Sequence, residues 1–125
     1  MTDKPQVGRI AWIDMTTADA GELLDSYSEV VGWRSQDVGM GDYADYAMVP
    51  PNGDDAVAGI CHALGENADL PTGWLIYIVV ADVAASAAAS VEQGGEIVVA
   101  PRSLGGGRFC VIRDPAGQAA ALYQP

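Results

Sequence analysis

Asp19 and Asp82 stand 63 positions apart, and so do Gly32 and Gly95. Each Asp precedes a segment of helical character and each Gly follows one. Two helix starts and two helix stops at a single offset mark a duplicated unit. In the first copy, Ala20, Leu23, Leu24, Tyr27, Val30 and Val31 are apolar at helical spacing, Asp19 and Glu22 form a capping-box-like start, and Gly32 supplies the stop. In the second, Asp82 caps an alanine-rich helix over Val83–Gln93 that ends at Gly94-Gly95.

The flanks repeat as well. A strand runs into each helix, from Ile10 in the first half and over Trp74–Val80 in the second. Strand-like stretches follow at 33–38, 43–49 and 56–61, and again at 96–100, 108–113 and 118–123. Asn52-Gly53 and Pro115-Ala116-Gly117 supply the turns before the last strand of each half. Gly65 to Thr72 is polar and bounded by Gly and Pro, as a connector should be. The expectation is an α+β fold, a single domain over 1–125 built from two βαβββ modules at about 8–64 and 72–125.

Composition narrows the partners. Six basic and 17 acidic side chains leave a net charge of −11, so the cations that phosphates require are scarce; neither nucleic acid nor an anionic membrane surface is expected as a partner. The longest apolar run, Trp74–Ala81, falls well short of the roughly 20 residues of a membrane-spanning helix. Met1–Pro5 carries no apolar signal segment, and two cysteines suit neither a disulfide framework nor a structural zinc site. A soluble cytoplasmic protein is expected.

Three stretches carry a resemblance to a known family. Trp12-x-Asp14-x-Thr16-Thr17-x-Asp19, followed by Tyr27-x-x-Val30-x-Gly32-Trp33, resembles the opening of glyoxalase-like domains. Tyr77 to Val83 with Gly94-Gly95 resembles the start of their second half, and Gly107 to Gly117, with its Asp-Pro-x-Gly turn, resembles their final hairpin. Together they cover nearly the whole chain and identify it as a member of the vicinal oxygen chelate superfamily, which includes glyoxalase I, bleomycin-resistance proteins and extradiol dioxygenases. The resemblance implies a cupped, glyoxalase-like mixed sheet, with helices on the convex side and a ligand on the concave side. Strand alternation then sends Ile76, Ile78 and Val80 toward the helix and Leu75, Tyr77 and Val79 toward the cup. In the first half, Ala11 and Ile13 face the helix, and Ile10, Trp12 and Asp14 the other side.

Enzymes of this kind hold a divalent metal with His, Gln and Glu side chains from the first and last strands of both modules. Counted from the helix caps, the two first-strand positions fall on Trp12 and Leu75. The last-strand positions fall on Ala121 and, in the first half, within Val57–Gly59. None of these side chains ligates a metal, so no metal and no cofactor are expected. The expected ligand-binding residues are Trp12, Asp14, Leu75, Tyr77, Ala121 and Tyr123, with the aromatic rings offering flat surfaces and polar tips. Asp14 needs a partner, for which Arg108 or Arg113 is available. His62, the single histidine, reads as a strand-end residue pointing away from Cys61. Cys61 and Cys110 read as core-filling side chains, and Asp42, Asp45, Asp54 and Asp55 as a solvated edge.

The functional expectation is a metal-independent protein of the glyoxalase/bleomycin-resistance type that binds a small organic ligand. The alternative is a lyase or dioxygenase-like enzyme of the same superfamily with a metal or acid–base site elsewhere. The resemblance also implies a homodimer, and short sheet edges that need cover agree with it.

Overall fold

The computed structural model describes residues 6–125, so the Met1–Pro5 segment discussed above lies outside the described residues. The element order is β1 (Ile10–Thr17), α1 (Ala20–Val31), β2 (Arg34–Gly39), β3 (Ala44–Val49), β4 (Ala58–His62), a single 3-10 turn (Gly65–Asn67), β5 (Gly73–Val79), α2 (Val83–Glu92), β6 (Glu96–Leu104), β7 (Gly107–Arg113) and β8 (Ala119–Gln124). The strand–helix–three-strand pattern is thus present twice. The chain forms two compact units: Ile13–Trp74, which contains α1, and the described residues up to Trp12 together with Leu75–Pro125, which contain α2.

In the α1 unit the strand order is β2-β3-β4-β1. The β2-β3-β4 run is antiparallel, and β1 pairs with β4 in parallel, Asp14 opposite Gly59 and Thr16 opposite Cys61. One sheet face packs on the helix: Met48, Ala58 and Ile60 are buried with Ala20 of α1, flanked by Leu24, Tyr27, Trp33 and Tyr46. Tyr27 stacks on Trp33 at 5.6 Å between ring centroids and donates nothing to Trp74; instead Trp74 Nε1 donates to Tyr27 Oη at 3.1 Å.

In the α2 unit the order is β5-β8-β7-β6, with β5 parallel to β8 and the other pairs antiparallel, the same arrangement of first strand beside last. The N-terminal end of β1 adds to β5, since Gly8 N–H donates to the Val79 carbonyl at 2.8 Å and Val79 N–H to that of Arg9 at 2.9 Å. Val83 and Ala87 of α2 are buried with Cys110 and Leu122, and Ile78, Val80 and Ile112 pack against them. The expected alternation of β5 therefore holds at Ile78 and Val80.

The helix ends differ from the expected symmetry. Asp82 Oδ1 accepts the Ala85 N–H at 3.1 Å, an N-cap bond, whereas the Asp19 side chain makes none. Thr17 Oγ1 accepts the Asp19 N–H at 3.2 Å instead, so the threonine two residues earlier organises that entry. Gly32 stops α1 in the left-handed region at φ 87°, as expected, but in the second copy Gly94 takes that conformation at φ 95°. Gly95 is required by crowding: a Cβ there would lie 2.5 Å from the Arg113 carbonyl oxygen and 2.7 Å from Ser90 Oγ.

Strand β6 extends past the expected stop at Ala100 to Leu104 and contains Pro101. It is an edge strand, and its register with β7 shifts between Val99 and Arg102, which is where a residue lacking an N–H is tolerated. The turn before β8 is tied by Asp114, whose Oδ1 accepts the Ala116 and Gln118 N–H groups at 2.9 and 3.0 Å.

Candidate functional site

In the α2 unit, the face of the sheet turned away from the helix is set by register. Tyr77 lies opposite Ala121 and Val79 opposite Tyr123, and Tyr123 and Ala121 lie opposite Phe109 and Val111. Four of the six expected ligand residues, Leu75, Tyr77, Ala121 and Tyr123, therefore share this face with the alternating positions of β7. Leu75, Tyr77, Phe109, Val111 and Ala121 are buried, Tyr77 to 6% exposure, and Tyr123 is half-buried. Trp12 is a half-buried residue of β1.

Two residues of this face were not anticipated. Phe109 brings its ring to 6.4 Å from that of Tyr77, and Arg102, opposite Phe109 on β6, holds its guanidinium 5.2 Å above the Phe109 ring. A guanidinium over an aromatic face gains about 0.5–2 kcal/mol, depending on desolvation. Hairpin alternation back from the Asp114–Gly117 turn was the available signal for Phe109. The register shift in β6 hid Arg102.

In the α1 unit, Asp14 lies opposite Gly59 on the face of β1 that also carries Thr16, opposite Cys61. The residues Ile60 and Met15, which pair with each other, occupy the other face with the helix cluster. Burial, and then the charges of Asp14 and Asp45, push the Cys61 thiol up to about 12. Burial also raises Cys110. Both shifts favour the neutral thiol, in keeping with the core-filling reading of the two cysteines. Arg113, one of the two arginines offered as a partner for Asp14, is engaged elsewhere: its Nε is 3.5 Å from Glu96 Oε1, and Nη1 donates to the Gly117 carbonyl at 3.2 Å.

Asp45 corrects the expectation of a solvated acidic edge. It is 5% exposed, and its Oδ1 accepts the His62 backbone N–H at 2.8 Å and lies 3.4 Å from His62 Nδ1. Nothing in a run of scattered aspartates distinguishes the one that folds inward, because its partner is 17 residues away.

The pairing also narrows the first-half position that the resemblance left within Val57–Gly59. Asp14 opposite Gly59 corresponds to Tyr77 opposite Ala121, since Asp14 and Tyr77 are 63 positions apart. The first-half position is therefore Gly59. Trp12, Gly59, Leu75 and Ala121 carry no oxygen, imidazole or sulfur donor in their side chains, so they do not fit the metal of the family. Among the described residues, no three His, Cys, Asp or Glu side chains converge as a metal site elsewhere.

Comparison with known proteins agrees with the fold. A family model described as the Glyoxalase/Bleomycin resistance protein/Dioxygenase superfamily matches residues 9–122. Among curated proteins, the anthracycline biosynthesis protein DnrV of Streptomyces peucetius is 27% identical over 132 residues, covering 94% of this chain and 47% of that protein. The putative glyoxylase CFP32 of Mycobacterium bovis is 26% identical over 121 residues, covering 96% and 45%. The chain spans about half the length of these relatives. Among solved structures, methylmalonyl-CoA epimerase from Mycobacterium tuberculosis has a TM-score of 0.58 at 18% identity, covering 100% of this chain and 93% of that one. A superfamily member from Vibrio splendidus 12B01 has a TM-score of 0.56 at 17% identity, covering 91% and 97%. At these identities the structures show a shared fold.

Proposed function

The chain belongs to the glyoxalase/bleomycin resistance protein/dioxygenase superfamily, and from that premise we propose that it is a metal-independent protein that binds a small organic ligand. The observation that carries this reading is the composition of one sheet face of the α2 unit: Tyr77, Phe109 and Tyr123 share it with Leu75 and Ala121, the positions at which the resemblance would put metal donors. Aromatic surface and a few polar groups serve binding without a Lewis acid, and the three rings with their two hydroxyls are of that kind. Trp12, in the same unit, completes the ligand set proposed there, and Asp14 is a further proposed ligand-binding residue in the α1 unit.

A flat ligand suits these rings. The name of DnrV associates that relative with anthracycline biosynthesis, and a methylmalonyl-CoA epimerase of the same fold has been seen with methylmalonyl-CoA. An anthracycline and an acyl-CoA are accordingly the first two compounds to test. The net charge of −11 favours the less anionic of the two. The protein is further proposed to be a cytoplasmic homodimer without a nucleic-acid or membrane partner. Among the described residues, no helix is long and apolar enough to cross a membrane.

The test is a thermal-shift panel followed by calorimetry. A ligand at a hundredfold excess over its Kd stabilises the native state by about 2.7 kcal/mol. For a domain of this size that raises the melting midpoint by several degrees. The expected result is a saturable rise with a flat ligand that Tyr77→Ala removes. A saturable rise that Tyr77→Ala and Tyr123→Ala both leave intact would assign binding to other residues. Light scattering at the monomer mass over a wide concentration range would count against the dimer.

A further inference from the structure

The chain's one imidazole is set against a buried carboxylate in the α1 unit. Asp45 Oδ1 holds both the backbone N–H of His62, at 2.8 Å, and the side-chain Nδ1, at 3.4 Å. The rings of Tyr43 and Tyr46 flank the imidazole at 5.6 and 5.7 Å, inclined by 76° and 52°. Tyr43 is itself anchored, its hydroxyl donating to the Leu64 carbonyl at 3.2 Å. The His62 side chain keeps 22% exposure, against 7% for that of Asp45. One ring nitrogen is thus turned inward to an acceptor while the ring remains reachable from solvent.

We propose that Asp45 and His62 form an acid–base dyad in which Asp45 holds the Nδ1–H tautomer and His62 Nε2 takes up and returns the proton of a flat, uncharged or cationic molecule bearing a weakly acidic hydroxyl, such as a phenol or enol. The inference rests on the α1 unit alone and goes beyond the binding role proposed above.

The chemistry follows from donor and acceptor rules. A carboxylate only accepts, so the imidazole nitrogen facing it carries the hydrogen, and Nε2 is left with the lone pair. Contacts of this kind are often long without substrate and tighten on binding. In the forward step the ligand O–H bond breaks, its electron pair stays on oxygen, and the proton bonds to Nε2. The imidazolium so formed is balanced by the Asp45 carboxylate, and the reverse step restores both partners. No oxidant, leaving group or metal enters the balance. The groups that face the imidazole are Asp45 and Tyr46 from β3 and Tyr43, the residue leading into it. The Asp45 carboxylate beside the ring disfavours an anionic ligand, which sets the charge class. Two tyrosine rings set the flat shape.

Because His62 is the only histidine of the 125 residues, every imidazole signal from this chain belongs to it. Long-range proton–nitrogen correlation on 15N-labelled protein should show hydrogen on Nδ1 and an acceptor Nε2. Asp45→Asn should relax this to a mixture of tautomers, with the backbone spectrum confirming that the variant is folded. Titration with 4-nitrophenol should move the Nε2 resonance and increase nitrophenolate absorbance, whereas 4-nitroanisole, which lacks the proton, should do neither. His62→Gln, which does not depend on the buried aspartate being replaceable, should weaken nitrophenol binding about tenfold and abolish the absorbance change. A hydrogen on Nε2 in the unmodified protein, an equal response to 4-nitroanisole, or no response to 4-nitrophenol would each overturn the proposal.

Discussion

Gln124 Oε1 accepts the backbone N–H of Val83 at 2.9 Å, so a side chain from the last strand of the α2 unit caps the first turn of its helix. With Asp82 Oδ1 on the Ala85 N–H, two of the free donors at the start of α2 are satisfied by side chains 42 positions apart. Val83 is fully buried, so its N–H has no solvent to fall back on. Gln124→Leu should cost about 1–2 kcal/mol, read as a lower urea midpoint with an unchanged slope. An unchanged midpoint would mean that water replaces the glutamine without loss.

The remote cap shows what was and was not legible in the sequence. The duplicated caps and stops placed both helices and the order of all eight strands, because apolar spacing and turn residues act locally. The helix side of β5 followed from alternation, and Ile78 and Val80 lie on it. Contacts between distant positions were hidden. Gln124 on Val83, Asp45 on His62 and Arg102 over Phe109 each join residues whose local sequence is unremarkable. Roles within the repeat also drifted: Thr17 rather than the Asp19 side chain organises the first helix entry, and Gly94 rather than Gly95 takes the left-handed stop. Equal spacing preserves the fold without preserving which residue performs each task.

Gly107 and Gly106 are neighbours with opposite tolerance. A Cβ at Gly107 would run into the Gln124 carbonyl oxygen and come within 2.9 Å of Tyr123 Oη, while one at Gly106 would meet nothing within 4 Å. The obstructing carbonyl belongs to the paired strand and cannot swing aside as a flexible side chain would. Gly107→Ala is therefore expected to destabilise by about 1–3 kcal/mol, in the manner of an overpacked site. Gly106→Ala should stay within about 0.5 kcal/mol. Comparing the two melting midpoints checks the β7–β8 register directly.

Cys61 gives the stability an alkaline dependence. Burial, and then the charges of Asp14 and Asp45, push its thiol in the folded chain from the ordinary 9.0 up to about 12. Between these limits the unfolded chain has released a proton that the native state keeps, so stability falls as pH rises from about 9 toward 12. Below pH 9 both states are protonated and this group contributes no slope. Cys61→Ser, whose hydroxyl does not ionise in this range, should make the decline shallower than in the unmodified protein. Denaturant unfolding at pH 8, 9.5 and 10.5 on both proteins measures the difference, and parallel curves would show that the thiol is not held neutral by folding.

Metal dependence separates the side chains of this chain from the usual chemistry of its superfamily. Trp12, Gly59, Leu75 and Ala121, the positions that the resemblance assigns to metal donors, supply no donor atom. His62 alone cannot form a multidentate site, and its Nδ1 already faces Asp45. A metal bound to the native state at a hundredfold excess over Kd would add about 2.7 kcal/mol and several degrees to the melting midpoint. Zinc, nickel, manganese and iron(II) are each expected to leave the midpoint unchanged, as is EDTA added to protein purified without chelators. A paired substitution sharpens the test: Leu75→His with Ala121→Glu introduces two donors on neighbouring strands of the α2 unit, and a metal-dependent rise confined to that variant would support the donor positions that the resemblance implies. A rise of several degrees in the unmodified protein, abolished by His62→Ala, would instead place a metal at the dyad and remove Nε2 from proton transfer.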